Sequence, residues 1–292
     1  MKNSKLIVSA AVVVIAILGT GAASAADLPM KAPPMVAAPV PFSWTGFYVG
    51  GNVGYGWHDR SVTFSPNDII ADLGMGTAPP ISFRTAGGLG GVQLGYNWQF
   101  NRNWLIGFET DFALSDINGR GTSTFATVNN SFTQSADERI KWFGTVRGRL
   151  GYIFANSLLA YATGGFAYGR VEQNLQFDKN NPGGFEFVNS GFSIGCFALT
   201  PCYAGSSART ATGWTAGGGF EYSLLDRWTI KAEYLFVDLG SNNISETATR
   251  LSRQAAPGTL PSSFTAHFSD SFHVVRIGLN YRFGNNSIVA RY

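Results

Sequence analysis

The chain has 292 residues, of which 36 are glycine, 14% are aromatic and only 13% are charged. An average soluble domain has ~7% glycine and ~25% charged residues, so this composition argues against a cytosolic enzyme. The formal net charge of +3 includes Lys2 and Lys5, and without these two lysines 19 basic residues stand against 18 acidic ones. This balance gives no reason to expect nucleic acid as a partner.

Residues 1–25 predict a secretory signal peptide. Two lysines precede an apolar run from Leu6 to Leu18, and Ala23-Ser24-Ala25 is a cleavage site that leaves a mature chain beginning near Ala26. The run has 13 residues, whereas a spanning helix needs ~20, so we interpret it as an address that is removed. No later stretch approaches the length of a spanning helix, so membrane insertion must use strands.

Residues 26–43 form a proline-rich segment. Five prolines favour extended polyproline conformation and prevent a packed core: Pro29, Pro33, Pro34, Pro39 and Pro41. We expect a periplasmic leader here; a plain linker has the same composition.

Beyond residue 46, eight segments alternate apolar and polar residues with period two, as expected of strands with lipid on one side and the lumen on the other. They are 47–57, 91–100, 104–114, 140–152, 158–171, 214–223, 228–237 and 273–283. In the last, for example, Val275 and Ile277 alternate with Arg276. Parity does not separate the faces of the fifth segment, so its orientation stays open. Aromatic residues such as Trp57 and Trp228 lie at segment ends, where they suit the interfacial girdles of a membrane barrel.

The connections between these segments alternate in length. Short ones span 101–103, 153–157 and 225–227, and long ones span 58–88, 115–139, 172–211 and 241–271. This pattern predicts an all-β fold over residues 44–283: an eight-stranded antiparallel up-and-down transmembrane β-barrel with short periplasmic turns and four long extracellular loops. Residues 284–292 then form a C-terminal periplasmic tail. A soluble β-sandwich or lipocalin-like barrel does not explain the charged inner face, aromatic strand ends and alternating connections together.

The predicted inner faces carry ten charged side chains. An eight-stranded barrel has an interior that side chains just fill, and charges buried there must pair to offset their desolvation. We therefore predict an ion-pair network that plugs the lumen. The alternative is a narrow, gated path for ions or small solutes, because six bases outnumber four acids. The ten residues are Glu109, Asp111, Lys141, Arg147, Arg149, Glu221, Lys231, Glu233, Arg276 and Arg282.

Cys196 and Cys202 lie in the third long connection of an exported chain. Two cysteines in that setting indicate a disulfide that closes a small loop. Zinc would require four ligands, and no histidine lies nearby in the sequence. We expect neither a metal nor a cofactor.

His267-Phe268-Ser269 is the best candidate for catalysis. A histidine two residues from a serine on a strand shares its face, and the pair resembles the His-x-Ser element of the lipid A deacylase barrels. Acyl transfer also needs a carboxylate that orients the base, and the following strand offers Arg276 and Arg282 instead. The sequence therefore predicts a protein that is not an enzyme, with lipid modification as a distant alternative.

Four stretches carry a resemblance to a known family. They read ADLP from Ala26, WTGFYVGGNVGYGW from Trp44, WTIKAEYL from Trp228 and VRIGLNYRF from Val275. Together they resemble the small outer-membrane β-barrel family of alphaproteobacteria, often catalogued as outer-membrane immunogenic proteins or surface antigens. The resemblance extends from the signal to Phe283.

This resemblance implies an abundant surface protein that supports the cell envelope, contacts outer-membrane lipid and lipopolysaccharide, and shows its loops to a host or surface ligand; some members are described as porin-like. It implies no catalytic residues. It also implies folding by the barrel-assembly machinery, which reads the last strand with Tyr281 and Phe283. The chain departs from this pattern because nine residues follow Phe283, which makes Tyr292 an alternative recognition residue.

Overall fold

The computed structural model describes residues 43–68, 71, 79–126, 131–154, 157–181, 201–225, 227–249 and 262–283, together with the backbone of 184–189 and 192–197. The predicted signal peptide, the leader up to residue 42 and the tail with Tyr292 lie outside these ranges, so their boundaries stay predictions. Within the described ranges, no helix has the length and apolar character needed to span a membrane.

Eight strands close into one antiparallel ring, which confirms the predicted fold class. In chain order they are β1 (Gly46–Pro66), β2 (Ile81–Gln99), β3 (Trp104–Ala126), β4 (Ser131–Phe154), β5 (Leu158–Lys179), β8 (Pro201–Leu225), β9 (Trp228–Ala248) and β10 (Ser263–Phe283). Each pairs with the next in this order, and β10 pairs with β1 to close the ring. Two further strands, β6 (Gly184–Asn189) and β7 (Phe192–Phe197), pair only with each other in the third long connection.

The short turns lie where the sequence predicts them. Between β2 and β3, the side-chain oxygen of Asn101 accepts hydrogen bonds from the backbone N–H groups of Asn103 at 3.0 Å and Trp104 at 2.7 Å. An asparagine in this position replaces a backbone acceptor and fixes a tight turn. Phe47 pairs with Phe283 at the same end of the barrel, so both ends of the described ring lie on the short-turn side.

The strands are longer than predicted, at 19 to 25 residues. Much of each connection interpreted as a loop is strand, because the alternation continues with its polarity reversed. In β1, Val49 and Val53 point outward in the lower half, whereas Asp59 points outward in the upper half and Val62 is buried inside. Only the lower halves, with their apolar outer faces, match a hydrocarbon layer, which ~9 to 11 tilted residues cross. The upper halves extend beyond it.

The structure also settles the orientation of the fifth predicted segment, now the lower half of β5. Tyr161 and Val171 are buried in the interior, and Phe166 points outward with 49% of its surface exposed. Glycines interrupt the apolar pattern on both faces here, which is why parity alone gave no answer.

Gly95 supplies a test of interior packing. A Cβ atom at this position would overlap the phenol of Tyr48, whose hydroxyl donates to Glu109 at 2.6 Å. We expect Gly95→Ala to lower the midpoint of urea unfolding, measured by tryptophan fluorescence of the refolded barrel, because either the tyrosine or the strand must shift. Gly88→Ala is the matched control on the same strand, since no atom lies within 4 Å of the place that its new methyl group would occupy. Equal midpoints for the two variants would contradict this packing.

Candidate functional site: the charged lumen

Four acids and four bases meet inside the lower half of the barrel. Strand alternation directs them inward from β3, β4, β8, β9 and β10, and all eight are buried. The members of this lumen network are Glu109, Asp111, Arg147, Arg149, Glu221, Lys231, Glu233 and Arg276. Their formal charges cancel, unlike the basic excess expected from the sequence.

Arg147 lies at the centre of the lumen network. Its Nη1 donates to Glu233 at 2.9 Å, and its Nη2 donates to Glu109 at 2.5 Å and Asp111 at 3.0 Å. Arg276 donates to the same Glu233 at 2.7 Å and the same Asp111 at 3.0 Å. Two guanidinium groups therefore hold a pair of carboxylates between them, a geometry that matches the planar donor fork of arginine.

Lys231 and Arg149 complete the ion pairs. Lys231 Nζ donates to both oxygens of Glu109, at 2.8 and 2.9 Å. Arg149 donates to Glu221 at 2.7 Å, and its guanidinium lies 4.0 Å from the ring centroid of Tyr161. Each base thus has at least one acid in contact, which is the condition for burying these charges at a tolerable desolvation penalty.

Several neutral hydrogen-bond partners of the lumen network were not predicted from the sequence. Tyr161 donates to Glu233 at 3.0 Å, and Asn280 donates to Glu221 at 3.0 Å. Gln93 bridges Asn280, at 2.5 Å, and Asn52, at 2.9 Å. Asn52, Gln93 and Asn280 occupy inward positions of the predicted strands, so a parity search that included amides would have found them. Tyr161 lies in the fifth segment, whose orientation parity left open.

Two of the ten predicted lumen residues lie outside this network, although Arg282 is buried and faces inward. Arg282 is at the periplasmic end, where it donates to the backbone oxygens of Ser43 and Thr45 and lies 5.7 Å from the Trp44 ring. Lys141 is wrong as a lumen residue: it lies on the outer wall, with its side chain 48% exposed. The ladder between β4 and β5 shifts register there, so a β-bulge turns Lys141 outward and Ile140 inward.

An apolar layer closes the lumen above the network, and the sequence analysis did not predict it. Its centre includes Ile140, Phe143, Leu235, Phe272 and Val274, each exposing 1% or less of its surface. The rings of Phe143 and Phe272 meet edge to face with centroids 5.3 Å apart. A layer of this kind has no groups that hydrate a passing ion.

A second polar layer lies above this apolar layer, in the extracellular half. Arg60 from β1 contacts Glu138 from β4 at 2.5 Å, and both are buried. Asp270 from β10 accepts from Gln173 at 2.8 Å and from Arg209 at 2.5 Å. Arg209 reaches this layer where the ladder between β8 and β9 is interrupted. Because Glu138 is taken from water, its pKa rises to about 7 in spite of the attraction of Arg60.

The predicted catalytic pair does not form. His267 and Ser269 share the outer face, but the imidazole contacts Asn243 at 2.8 Å and Ser65 at 3.3 Å. This group stands on an open sheet exposed to water, whereas acyl transfer needs oriented donors in a site that excludes water. Cys202 is buried and disulfide-bonded. The side chain of Cys196 lies outside the described residues, so its pairing with Cys202 stays a prediction.

Lys231 and Lys141 give a matched pair of substitutions. We expect Lys231→Met to destabilise the barrel by about 3–5 kcal/mol, because Glu109 loses the ammonium group that contacts both of its oxygens and the buried network is left with a surplus acid. Lys141→Met removes only an exposed contact with Glu172 and is expected to leave the free energy of unfolding unchanged within error. Urea unfolding in detergent micelles measures both. If Lys141→Met were the more damaging variant, the bulge would be misplaced.

Glu138 predicts a pH dependence. Its raised pKa means that the folded state retains a proton that the unfolded chain releases, so stability falls as pH rises from about 4.5 to about 7. The expected slope is at most about 1.4 kcal/mol per pH unit. Glu138→Gln should remove this part of the slope, while Asp137→Asn, on the exposed face beside it, should keep it. Unfolding curves at pH 5 and pH 7.5 that respond identically in wild type and Glu138→Gln would contradict this assignment.

Comparison with known proteins agrees with this architecture. The model of the outer membrane protein beta-barrel domain matches residues 13–283. A 31 kDa outer-membrane immunogenic protein of Brucella melitensis is 36% identical over 272 residues, which cover 92% of this chain and 97% of that protein. A 22 kDa outer membrane protein of Rhizobium leguminosarum bv. viciae is 29% identical over 204 residues, 69% of this chain and 67% of that protein. The crystal structure of OprG from Pseudomonas aeruginosa aligns with a TM-score of 0.42 and 15% identity, over 82% of this chain and 97% of that one. The chain therefore belongs to the outer membrane protein β-barrel domain family and is an outer-membrane protein.

Proposed function

We propose that this chain is a structural and surface-exposed barrel with a closed lumen, and that it is not an enzyme. The observation that carries the proposal is the succession of layers inside the ring. A charge-balanced network fills the lower half, and an apolar layer around Phe143 and Phe272 seals it from the polar layer above. An ion on this route would have to shed its water at the charged network and again at the apolar layer. A hydrophobic constriction opposes the passage of an ion.

The extracellular half supports the surface role. Its strands continue beyond the hydrocarbon layer, and their outer faces carry Ser, Thr, Asn and charged side chains. Rigid strands that hold loops away from the membrane present them to antibodies or to other surfaces. The name of the 31 kDa relative, an immunogenic protein, is consistent with such a display.

A narrow channel is the second candidate, and one observation favours it. Several buried polar atoms of the lumen have no hydrogen-bond partner among the described residues, including Asp111 Oδ1, Arg276 Nη1 and both amide atoms of Asn97. Water is the usual partner of such atoms, so the lower lumen holds polar groups that a hydrated path would use. The apolar layer is the obstacle that this candidate must overcome.

Single-channel recording separates the two candidates. We expect the purified wild-type barrel to produce no stepwise currents in a planar bilayer, because the apolar layer blocks the lumen. Phe143→Ser combined with Phe272→Ser is expected to produce small, discrete steps once the layer becomes polar. Heat-modifiable migration on gels checks that each sample is folded. Steps from the wild type would overturn the closed lumen. Silence from both proteins would mean that the layer around Phe143 is not the decisive block and that the ion pairs or the apolar side chains of the upper half, such as Val62 and Leu175, close the lumen.

A further inference from the structure

On the outer wall over β4 and β5, the exposed side chains change from aromatic to cationic within two residues. Below, Trp142 is flanked by Phe112 and Tyr168, with ring centroids 5.6 and 6.2 Å away, and these rings end the apolar band. Directly above begins a cationic patch, formed by Arg139, Lys141 and Arg170 around Glu172. This height on the extracellular side is where the headgroups of the outer leaflet meet a barrel.

The β-bulge in β4 places Lys141 in this patch. Ile140 pairs with Val171 and Trp142 pairs with Arg170, which leaves Lys141 as the extra residue of β4. Without the insertion, strict alternation would send Lys141 and Trp142 to opposite faces. With it, the ammonium group and the indole both lie on the outer wall. Bulges commonly redirect a side chain in this way.

The patch carries an uncompensated positive charge. Lys141 Nζ lies 2.9 Å from Glu172 and Arg170 Nε lies 3.8 Å from the same residue, while Arg139 is its partner in register. The hydrogen bond from Lys141, aided by both arginines, lowers the pKa of Glu172. Asp116 is exposed on the neighbouring strand β3, opposite Lys141 in the ladder, so two carboxylates stand against three cations of the outer wall.

Two other exposed cations of the outer wall are each matched by one acid. Arg84 pairs with Asp59 at 3.9 Å, and Arg120 pairs with Asp137 at 3.5 Å. A surplus of one positive charge is thus a feature of the wall over β4 and β5. A groove of about 280 Å³ adjoins it, and the amides of Asn118 and Asn174 line this groove.

We propose that Arg139, Lys141 and Arg170 bind a phosphate group of the phosphorylated glycolipid of the outer leaflet. Charge complementarity and continuity with the aromatic girdle identify this occupant: its acyl chains lie along the apolar band, so its phosphate stands at the height of the patch. Guanidinium groups match phosphate oxygens in pairs, and Lys141 adds a point charge. The amide of Asn174 and the side-chain oxygen of Asn118, whose Nδ2 already donates to Asp116, are placed to contact the hydroxyls of the sugar.

Native mass spectrometry of the folded barrel with bis-phosphorylated lipid A tests this proposal. We expect the wild type to retain the lipid, and Arg139→Gln/Lys141→Gln/Arg170→Gln to bind it at least about tenfold more weakly, since each cation near a charged lipid surface contributes severalfold. Arg84→Gln is the matched control for Lys141→Gln, because Arg84 lies outside the patch and its groove, and it is expected to bind as the wild type does. Glu172→Gln is expected to bind more tightly, because it removes a competing carboxylate.

Dephosphorylated lipid A and inorganic phosphate complete the experiment. Weak binding of the dephosphorylated lipid supports the phosphate contact, whereas equal retention of both lipids overturns it. Full displacement of lipid A by millimolar inorganic phosphate would also overturn the proposal, since the patch would then be a general anion site. Heat-modifiable migration verifies folding, and Lys141→Gln alone, expected to bind more weakly than the wild type, replaces the triple variant if that variant does not fold.

Discussion

Closure of eight strands into a narrow ring is the constraint on which the rest of this structure depends. The interior is too small for bulk water, so every inward charge must find an opposite charge within contact distance. Four acids and four bases satisfy this condition around Arg147 and Glu109, and tyrosine and amide side chains take up remaining hydrogen bonds.

Each strand passes through two environments, the membrane in its lower half and water in its upper half. In the lower half the outer face is apolar and the inner face polar, and in the upper half the outer face turns polar while residues such as Val62 and Leu175 fill the inside. The same period-two alternation runs through both halves. Lipid surrounds the outer face of the lower half, and water surrounds the outer face of the upper half. Glu138 and Arg60 remain as a polar layer inside the upper half, where burial raises the pKa of the carboxyl.

The number of strands and their pairing partners along the chain could be predicted from the sequence, because they follow from parity and from turn residues such as Asn101. Parity also places the charges of the lower lumen on one face of each strand. Strand length was underestimated, since a search for apolar outer faces stops where the membrane ends. The bulge at Lys141 was missed because one inserted residue changes no composition and no period on either side. The apolar layer around Phe143 was not predicted in part because Ile140, which belongs to it, faces inward only through the bulge.

The inner and outer surfaces of the barrel wall differ in their balance of charges. Inside, the formal charges cancel, so the lumen offers an ion no net attraction and an apolar layer offers it no hydration. Outside, the bulge adds Lys141 to Arg139 and Arg170 and leaves a surplus that Glu172 does not neutralise. An unpaired charge on an exposed wall can attract a ligand of opposite charge. A paired charge in a closed lumen contributes to the stability of the fold instead. The proposed recognition of a lipid phosphate therefore belongs to the outer wall, at the level where the membrane surface begins.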